Sequence, residues 1–336
     1  MSLAPHLDKL ARAETFSSNE IDAAFAVIMD GNAAHEDIKR FLDLTQPHMR
    51  DAAWIAGGAR SLRSRMLHVR APPGAIDVCG TGGDGAHTLN ISTAVALVVA
   101  GCGVTVAKHG NRAMSSKSGA ADVLEALGVK LTGDVRTLER CLQEARVAFL
   151  FAQNHHPAMR HVASARRELG KRTIFNLLGP LSNPAGVKRQ LVGVFSADYA
   201  EPMARALNQL GCEKALVVHG AGGLDELSAA GEDANHAAAL EDGVITVQLA
   251  TKSADVHPDL SGGLASENAE EMRALLAGGG RPGHRAAVLI NAAAALFVAG
   301  RSPSVVEAHA AAIQSIDSGA AGEALQKLID VSRSAP

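Results

Sequence analysis

The chain has 336 residues, 47% of them hydrophobic and 20% charged, with a formal net charge of -3. That length suits roughly two domains with their own cores, and the charge gives no basic face for nucleic acid. One Trp and one Tyr leave little aromatic surface on which bases could stack.

In chain order, the stretch from Met1 to Arg70 reads as helices. Ser17 and Glu20 form a capping box, with Phe16 and Ile21 as its hydrophobic staple. Ile21, Ala24, Phe25 and Ile28 follow helical spacing up to a stop at Gly31. Further helices are expected near Ala34 to Leu44 and Met49 to Met66. Pro72-Pro73-Gly74 then punctuates the chain. The expected division is a helical domain over 1–72, joined by helices from about 157–185, and an α/β domain over 73–336.

After the break, strands alternate with helices. Strands are expected at Ala75 to Cys79, Gly103 to Ala107 and Val147 to Ala152, with helices at Ser92 to Ala100 and Ala121 to Leu127 between them. Helical text runs from Pro157 to Leu169. Strand-like runs return at Gln190 to Phe195, Ala215 to His219 and Val244 to Ala250. Helices near Glu267 to Leu276, Ala286 to Ala299 and Ser304 to Asp317 follow. The fold class is α/β, with a mainly parallel central sheet flanked by helices beside a small all-helical domain.

No apolar run approaches the ~18 residues that span a bilayer, and the N-terminal stretch carries charges where a signal peptide needs an apolar core. Cys79, Cys102, Cys141 and Cys212 are far apart and lack zinc-ligand spacing, which suits small buried side chains and a reducing cytoplasm.

Gly80-Thr81-Gly82-Gly83-Asp84-Gly85 matches the spacing of a dinucleotide-binding loop. Two features oppose that use. The second strand ends in Lys108-His109 rather than an acid for a ribose hydroxyl. Asp84 would repel a bare pyrophosphate unless a ribose hydroxyl or metal ion intervened. The loop does fit a phosphate ligand, since its glycines admit the ligand to the backbone. Asn90-Ile91-Ser92-Thr93 opens a helix whose free amides attract anions, and Thr88, Ser92 and Thr93 add hydroxyls.

A second polar stretch runs from Lys108 through His109, Gly110, Asn111 and Arg112 to Ser115-Ser116-Lys117-Ser118-Gly119, at the same carboxyl edge of the sheet. It describes a second anion cradle. Asp225-Glu226, after a glycine turn, can converge on hydrated magnesium; an acidic pair opening a helix is the plain alternative.

The segments DVCGTGGDG (77–85), LNIST (89–93), VAKHGNR (106–112), SSKSGAADVLEALG (115–128), ARRELGKRTIFNLLGPLSNPA (165–185) and GLDELS (223–228) together resemble the anthranilate phosphoribosyltransferases of tryptophan biosynthesis. Scattered agreement reaches NAAAAL (291–296), so the resemblance spans nearly the whole chain. It implies catalysis between the helical and α/β domains, a homodimer through the helical domain, and transfer of ribose 5-phosphate from phosphoribosyl pyrophosphate to anthranilate.

By the same resemblance, Gly80, Gly83, Asp84, Thr88, Asn90, Ile91, Ser92 and Thr93 would hold phosphoribosyl pyrophosphate. So would Lys108, His109, Gly110, Asn111, Arg112, Ala113, Met114, Ser115, Ser116 and Ala120. Gly80, Asn111 and Arg166 would contact anthranilate, with His109 close by. The Arg166 guanidinium suits the anthranilate carboxylate. Ser92 and Glu226 would serve one Mg2+ ion, Asp225 with Glu226 a second.

Three places depart from the family pattern: Ala120 replaces a small hydroxyl or thiol residue, Gln153 replaces a common Pro, and Thr45 to Asp51 lacks a Gly-Glu-Thr pattern. The rival readings are a pyrimidine nucleoside phosphorylase-like enzyme and a non-catalytic nucleic-acid-binding relative. The phosphorylase would not need the paired carboxylates. The relative would need a basic face.

Overall fold

The N-terminal helices are Ala4–Ala11, Ser18–Met29, His35–Leu44 and Ala52–Arg63. The capping box forms as expected: Ser17 N donates to Glu20 Oε2 at 2.8 Å, and Glu20 N to Ser17 Oγ at 3.4 Å. Between the last two helices, Gln46–Arg50 is a 3-10 turn, and Asp51 caps the final helix by accepting from Ala53 N at 2.8 Å. The computed structural model describes residues 2–112 and 117–334. The expected phosphate contacts at Ala113, Met114, Ser115 and Ser116 lie outside the described residues.

Seven strands form one sheet among the described residues: β1 (Ile76–Gly80), β2 (Val106–Gly110), β3 (Val147–Phe151), β4 (Arg189–Gly193), β5 (Lys214–His219), β6 (His236–Glu241) and β7 (Val244–Gln248). Their order is β3-β2-β1-β4-β5-β6-β7. The first five are parallel, and β6 and β7 run antiparallel to their neighbours. From β1 the chain builds outward to β2 and β3, then crosses back to lay β4 on the other side of β1. The carboxyl ends of β1 and β4 therefore flank a crevice where the strand order reverses, the place open α/β sheets use for ligands. Pairing of Gly80 with Gly193 closes the floor of that crevice.

Each face of the sheet has its own core. One gathers Val78, Leu191 and Val218 with the helices Ile91–Gly101, Pro282–Val298 and Ala320–Arg333. The other gathers Val192, Val194, Val217 and Ala238 with the helix Ala200–Gln209. This second core runs on without a break into Phe25, Phe41, Trp54, Val162 and Phe175 of the helical region. The alternation of Leu191 and Val192 between cores is the period-two pattern of a strand buried on both faces.

The structure shifts expected boundaries, most of all at the second strand, and adds elements. The strand expected over Gly103 to Ala107 lies at Val106–Gly110. Gly103, at φ +84°, still belongs to the turn after the preceding helix, and the Lys108, His109 and Gly110 backbones pair with Phe149, Leu150 and Phe151. Lys108 and His109 are thus strand residues rather than loop residues.

Strand β6 is an addition to the expected elements, because HAAALE has little β propensity. Its hairpin with β7 closes on Asp242-Gly243, both at positive φ, a strong two-residue turn signal. A further helix, Ala320–Arg333, follows Asp317 after a break at Gly319. Among the described residues no helix is long and apolar enough to cross a membrane.

Candidate active site

The crevice between β1 and β4 is filled by the loop carrying Asp225. A Cβ on Gly80 would lie 2.3 Å from Asp225 Oδ2, and one on Gly193 only 1.5 Å from the Asp225 carbonyl oxygen. Glycine at these two strand ends lets a third backbone reach the sheet edge.

Asp225 Oδ2 accepts from Gly82 N at 2.7 Å, and Asp225 N donates to Asp84 Oδ2 at 3.4 Å. Asp84 Oδ1 accepts from Ala86 N at 3.0 Å. Glu226 Oε1 accepts from Ser92 N at 3.2 Å, at the start of the helix Ile91–Gly101. No helix opens at Asp225-Glu226, the next helical turn being Glu232–Ala234, so the pair does not serve as a helix N-terminus.

Asp84, Asp225 and Glu226 therefore lie close together, with Lys108 beside Glu226. Buried Lys108 donates Nζ to Val78 O at 2.8 Å and to Ser92 Oγ at 3.1 Å. Burial, then the charge of Asp84, pushes the Asp225 carboxyl up to about 7. Burial, then the charge of Asp225, pushes Glu226 up to about 8, although Lys108 opposes the shift. The direction is physical: one cation does not offset three nearby acids in a partly desolvated crevice. The donor set fits a divalent cation, being hard oxygens with surplus negative charge. Ser92, Asp225 and Glu226 are the residues that would hold it.

The rest of the expected phosphate site is held by neighbouring loops. Thr88 forms an antiparallel bridge with Ser261. Asn90 Oδ1 accepts from Asn268 Nδ2 at 2.9 Å, and Asn90 Nδ2 donates to Ser118 O at 3.4 Å. Ile91 is buried, and Thr93 points its hydroxyl into the interior, where Oγ1 has no partner among the described residues. Gly110 ends β2, and Ala120 opens the helix Ala120–Leu127 beside it; a Cβ on Gly110 would lie 3.6 Å from that of Ala120. Arg112 is engaged elsewhere: Nη1 donates to Asp122 at 2.7 Å and to Glu125 at 2.6 Å, so its charge is already matched.

Across the cleft, Arg166 is half-buried on the helix Arg160–Leu169. Its guanidinium lies 5.9 Å from the Phe175 ring centre and makes a long contact, 3.5 Å, to Asn176 Oδ1. Burial pulls its pKa down with no carboxylate to offset the effect. A desolvated cation of this kind favours an anionic ligand. Asn111 is exposed and takes Gln153 Nε2 on its Oδ1 at 3.4 Å.

His109 is less free than its place in a polar stretch suggests. Its Nδ1 faces Gly179 O at 3.0 Å and its Nε2 faces His156 Nε2 at 3.1 Å. Its backbone N donates to Asp77 Oδ1 at 3.0 Å, and Asn183 Nδ2 donates to Asp77 Oδ2 at 2.7 Å. Burial and the neighbouring His156 hold His109 well below its ordinary value. Asp77, His156 and Asn183 are structural partners that the sequence reading misses as site residues. An acid inside the apolar strand Ile76–Gly80 is the available signal.

A glycine-lined crevice at the strand reversal, with anion-binding amides and paired carboxylates, fits the class the comparisons show: residues 72–322 match the Glycosyl transferase family, a/b domain. The chain is 50% identical over 335 residues to an anthranilate phosphoribosyltransferase of Rhizobium johnstonii, covering 98% of each. The fold is similar to that enzyme from Thermus thermophilus, with TM-score 0.90, 39% identity and coverage of 98% of this chain and 99% of that one. It is similar also to the enzyme of Saccharomyces cerevisiae in complex with PRPP and Mg, with TM-score 0.86, 26% identity and coverage of 98% and 97%. The chain belongs to the anthranilate phosphoribosyltransferase family.

Proposed function

We propose that the chain transfers the 5-phosphoribosyl group of phosphoribosyl pyrophosphate to the amine of anthranilate, releasing N-(5-phosphoribosyl)anthranilate and pyrophosphate in tryptophan biosynthesis. The observation that carries this reading is the crevice itself: Asp84, Asp225 and Glu226 converge at the strand reversal beside Lys108 and a helix N-terminus.

In the reaction the bond from ribose C1 to the pyrophosphate oxygen breaks, a bond from C1 to the amine nitrogen forms, and the amine loses a proton to solvent or to the departing pyrophosphate. Magnesium, when bound, neutralises charge on the departing pyrophosphate. Ser92 and Glu226 would hold one ion and Asp225 with Glu226 a second. Lys108 and the amides of the glycine loop and of the helix at Asn90 supply fixed positive potential for the phosphates.

On the acceptor side, Arg166 would pair with the anthranilate carboxylate, and Asn111 and Gly80 would complete the contact. The anthranilate amine is a free nucleophile, so positioning carries most of the burden. His109 orients rather than deprotonates, because both its ring nitrogens already face partners.

We further propose that residues 1–72, with helices from about 157–185, form the acceptor side of the cleft, and that 73–336 form the donor side. The cytoplasmic homodimer suggested by the sequence belongs to the same proposal; sedimentation at micromolar concentration tests the dimer.

Mass spectrometry of a reaction with both substrates and magnesium tests the chemistry. The phosphoribosyl adduct and pyrophosphate should appear in equal amounts. Phosphorolysis of a pyrimidine nucleoside in place of that adduct would reject the assignment in favour of the phosphorylase reading.

A further inference from the structure

Arg172 lies in the turn between the helix Arg160–Leu169 and the short helix Phe175–Leu178, on the acceptor side of the cleft. Its side chain crosses to the donor side. Nη2 donates to the carbonyl of Gly83 in the middle of the glycine loop. The guanidinium lies 4.2 Å from the ring centre of Phe195, which follows β4. Phe195 is itself tied to the loop, since its backbone N donates to Thr81 Oγ1 at 3.1 Å.

The base of the side chain is fixed as firmly as its tip. Gln46 Nε2 donates to the Arg172 carbonyl at 3.0 Å, so the N-terminal helices hold the turn from one side. Thr173 N donates to Asn176 Oδ1 at 2.9 Å, the same oxygen that Arg166 approaches. Thr173, Ile174 and Phe175 are buried. The reach to Gly83 thus starts from an ordered segment, not from a loose loop.

The consequence follows from peptide geometry. In a trans peptide the carbonyl of Gly83 and the N–H of Asp84 point in opposite directions. Drawing the carbonyl toward Arg172 turns the Asp84 amide to the other side of the loop. Gly83 takes a φ of +73°, where glycine accepts this orientation without strain. Asp84 is meanwhile tied at both carboxylate oxygens, to Ala86 N and Asp225 N. The glycine loop is thereby held in one conformation by groups on both sides of the cleft.

We propose that Arg172 is a positioning residue for phosphoribosyl pyrophosphate: it fixes the Gly83–Asp84 peptide from the acceptor side. This rests on the reading of the glycine loop as the donor site given above. A cation stacked on Phe195 also raises the positive potential at the loop mouth.

Calorimetric titration of phosphoribosyl pyrophosphate with magnesium into wild-type protein, Arg172→Ala and Arg172→Lys tests it, alongside the KM for each substrate. Loss of one charge-assisted hydrogen bond should weaken binding to Arg172→Ala by about tenfold, with Arg172→Lys between the two. The anthranilate KM should stay within about twofold, because the Arg166 contact is untouched.

Phe195→Leu, which keeps the arginine and removes its platform, should shift binding the same way by less. Equal affinity in Arg172→Ala and wild type would overturn the proposal. So would an anthranilate KM that rises as much as the donor KM, since that pattern means general displacement of the helices. Wild-type protein that failed to bind phosphoribosyl pyrophosphate would instead reject the donor-site reading, and the wild-type titration alone shows this.

Discussion

On the donor side of the cleft, the polar groups hold one another before any ligand arrives: Gly82 N on Asp225, Ser92 N on Glu226, and Lys108 on Ser92. On the acceptor side, Arg166 makes a long contact to Asn176, and Asn111 Oδ1 is held locally, accepting from Arg112 N at 2.8 Å and from Gln153 Nε2 at 3.4 Å. The donor side is thus a set of fixed backbone amides and crowded acids whose charge calls for a cation. The acceptor side offers one desolvated cation whose charge calls for an acid. The difference teaches how a single cleft can bind two anionic substrates without confusing them. On the proposed reading, one site would recognise phosphate through metal and backbone, the other a carboxylate through a side chain.

The largest effect should come from removing the donor-side charge. Asp225→Asn with Glu226→Gln should lower turnover at least about a thousandfold, since several kcal/mol of charge stabilisation depends on the pair. The same variant should be no less heat-stable than wild type without magnesium, because it relieves repulsion among Asp84, Asp225 and Glu226. Turnover near the wild-type rate would break the comparison at its stronger half.

Gly193→Ala tests the crevice by shape alone. A methyl 1.5 Å from the Asp225 carbonyl must displace that loop. The thermal stabilisation by magnesium and phosphoribosyl pyrophosphate should then be abolished. A preserved shift would mean that the loop can leave the crevice without consequence for the donor.

Arg166→Ala addresses the other side. The anthranilate KM should rise about tenfold to a hundredfold, as expected for one charge-assisted pair, while the donor KM holds. If both KM values rose together, the two sides would not be separable.

The smallest effect concerns the histidines beneath the acceptor side. Burial, then the neighbouring His155, lowers His156 to about 4 from the ordinary 6.5, and His109 is lowered as well. His156 stays neutral in the fold down to about 4, so the unfolded chain binds more protons between pH 6.5 and about 4, and the lowering of His109 acts in the same direction. Their contribution is present above that window and is lost as the pH falls through it. Melting temperature should drop on acidification across this range, and His156→Asn should flatten the slope. An unchanged slope in the variant would remove this pair from the account.

The donor side is legible in the sequence because it is local. One loop from Gly80 to Gly85 and one helix opening at Asn90 carry most of it, and their glycines and hydroxyls are contiguous. Asp225-Glu226 lies far along the chain, yet its glycine turn and paired charge mark it. What escapes is tertiary. Nothing near Lys108 shows that β2 continues through it, because only pairing with Phe149 and Leu150 extends the strand.

The partners of His109 come from positions 156 and 179, and Arg172 reaches Gly83 across 89 residues. No local period records such contacts. Arg112 shows the converse: its position points to phosphate, but Asp122 and Glu125 on the neighbouring helix claim it. Strand β6 escapes for a simpler reason, since its alanines read as helix and only Asp242-Gly243 announces the hairpin.

The most direct test of the central claim is the fluorescence of anthranilate mixed with the protein and phosphoribosyl pyrophosphate, followed with and without magnesium. Anthranilate fluorescence should fall steadily when magnesium is present, and hardly at all when it is chelated. Unchanged fluorescence with magnesium and both substrates present would contradict that claim.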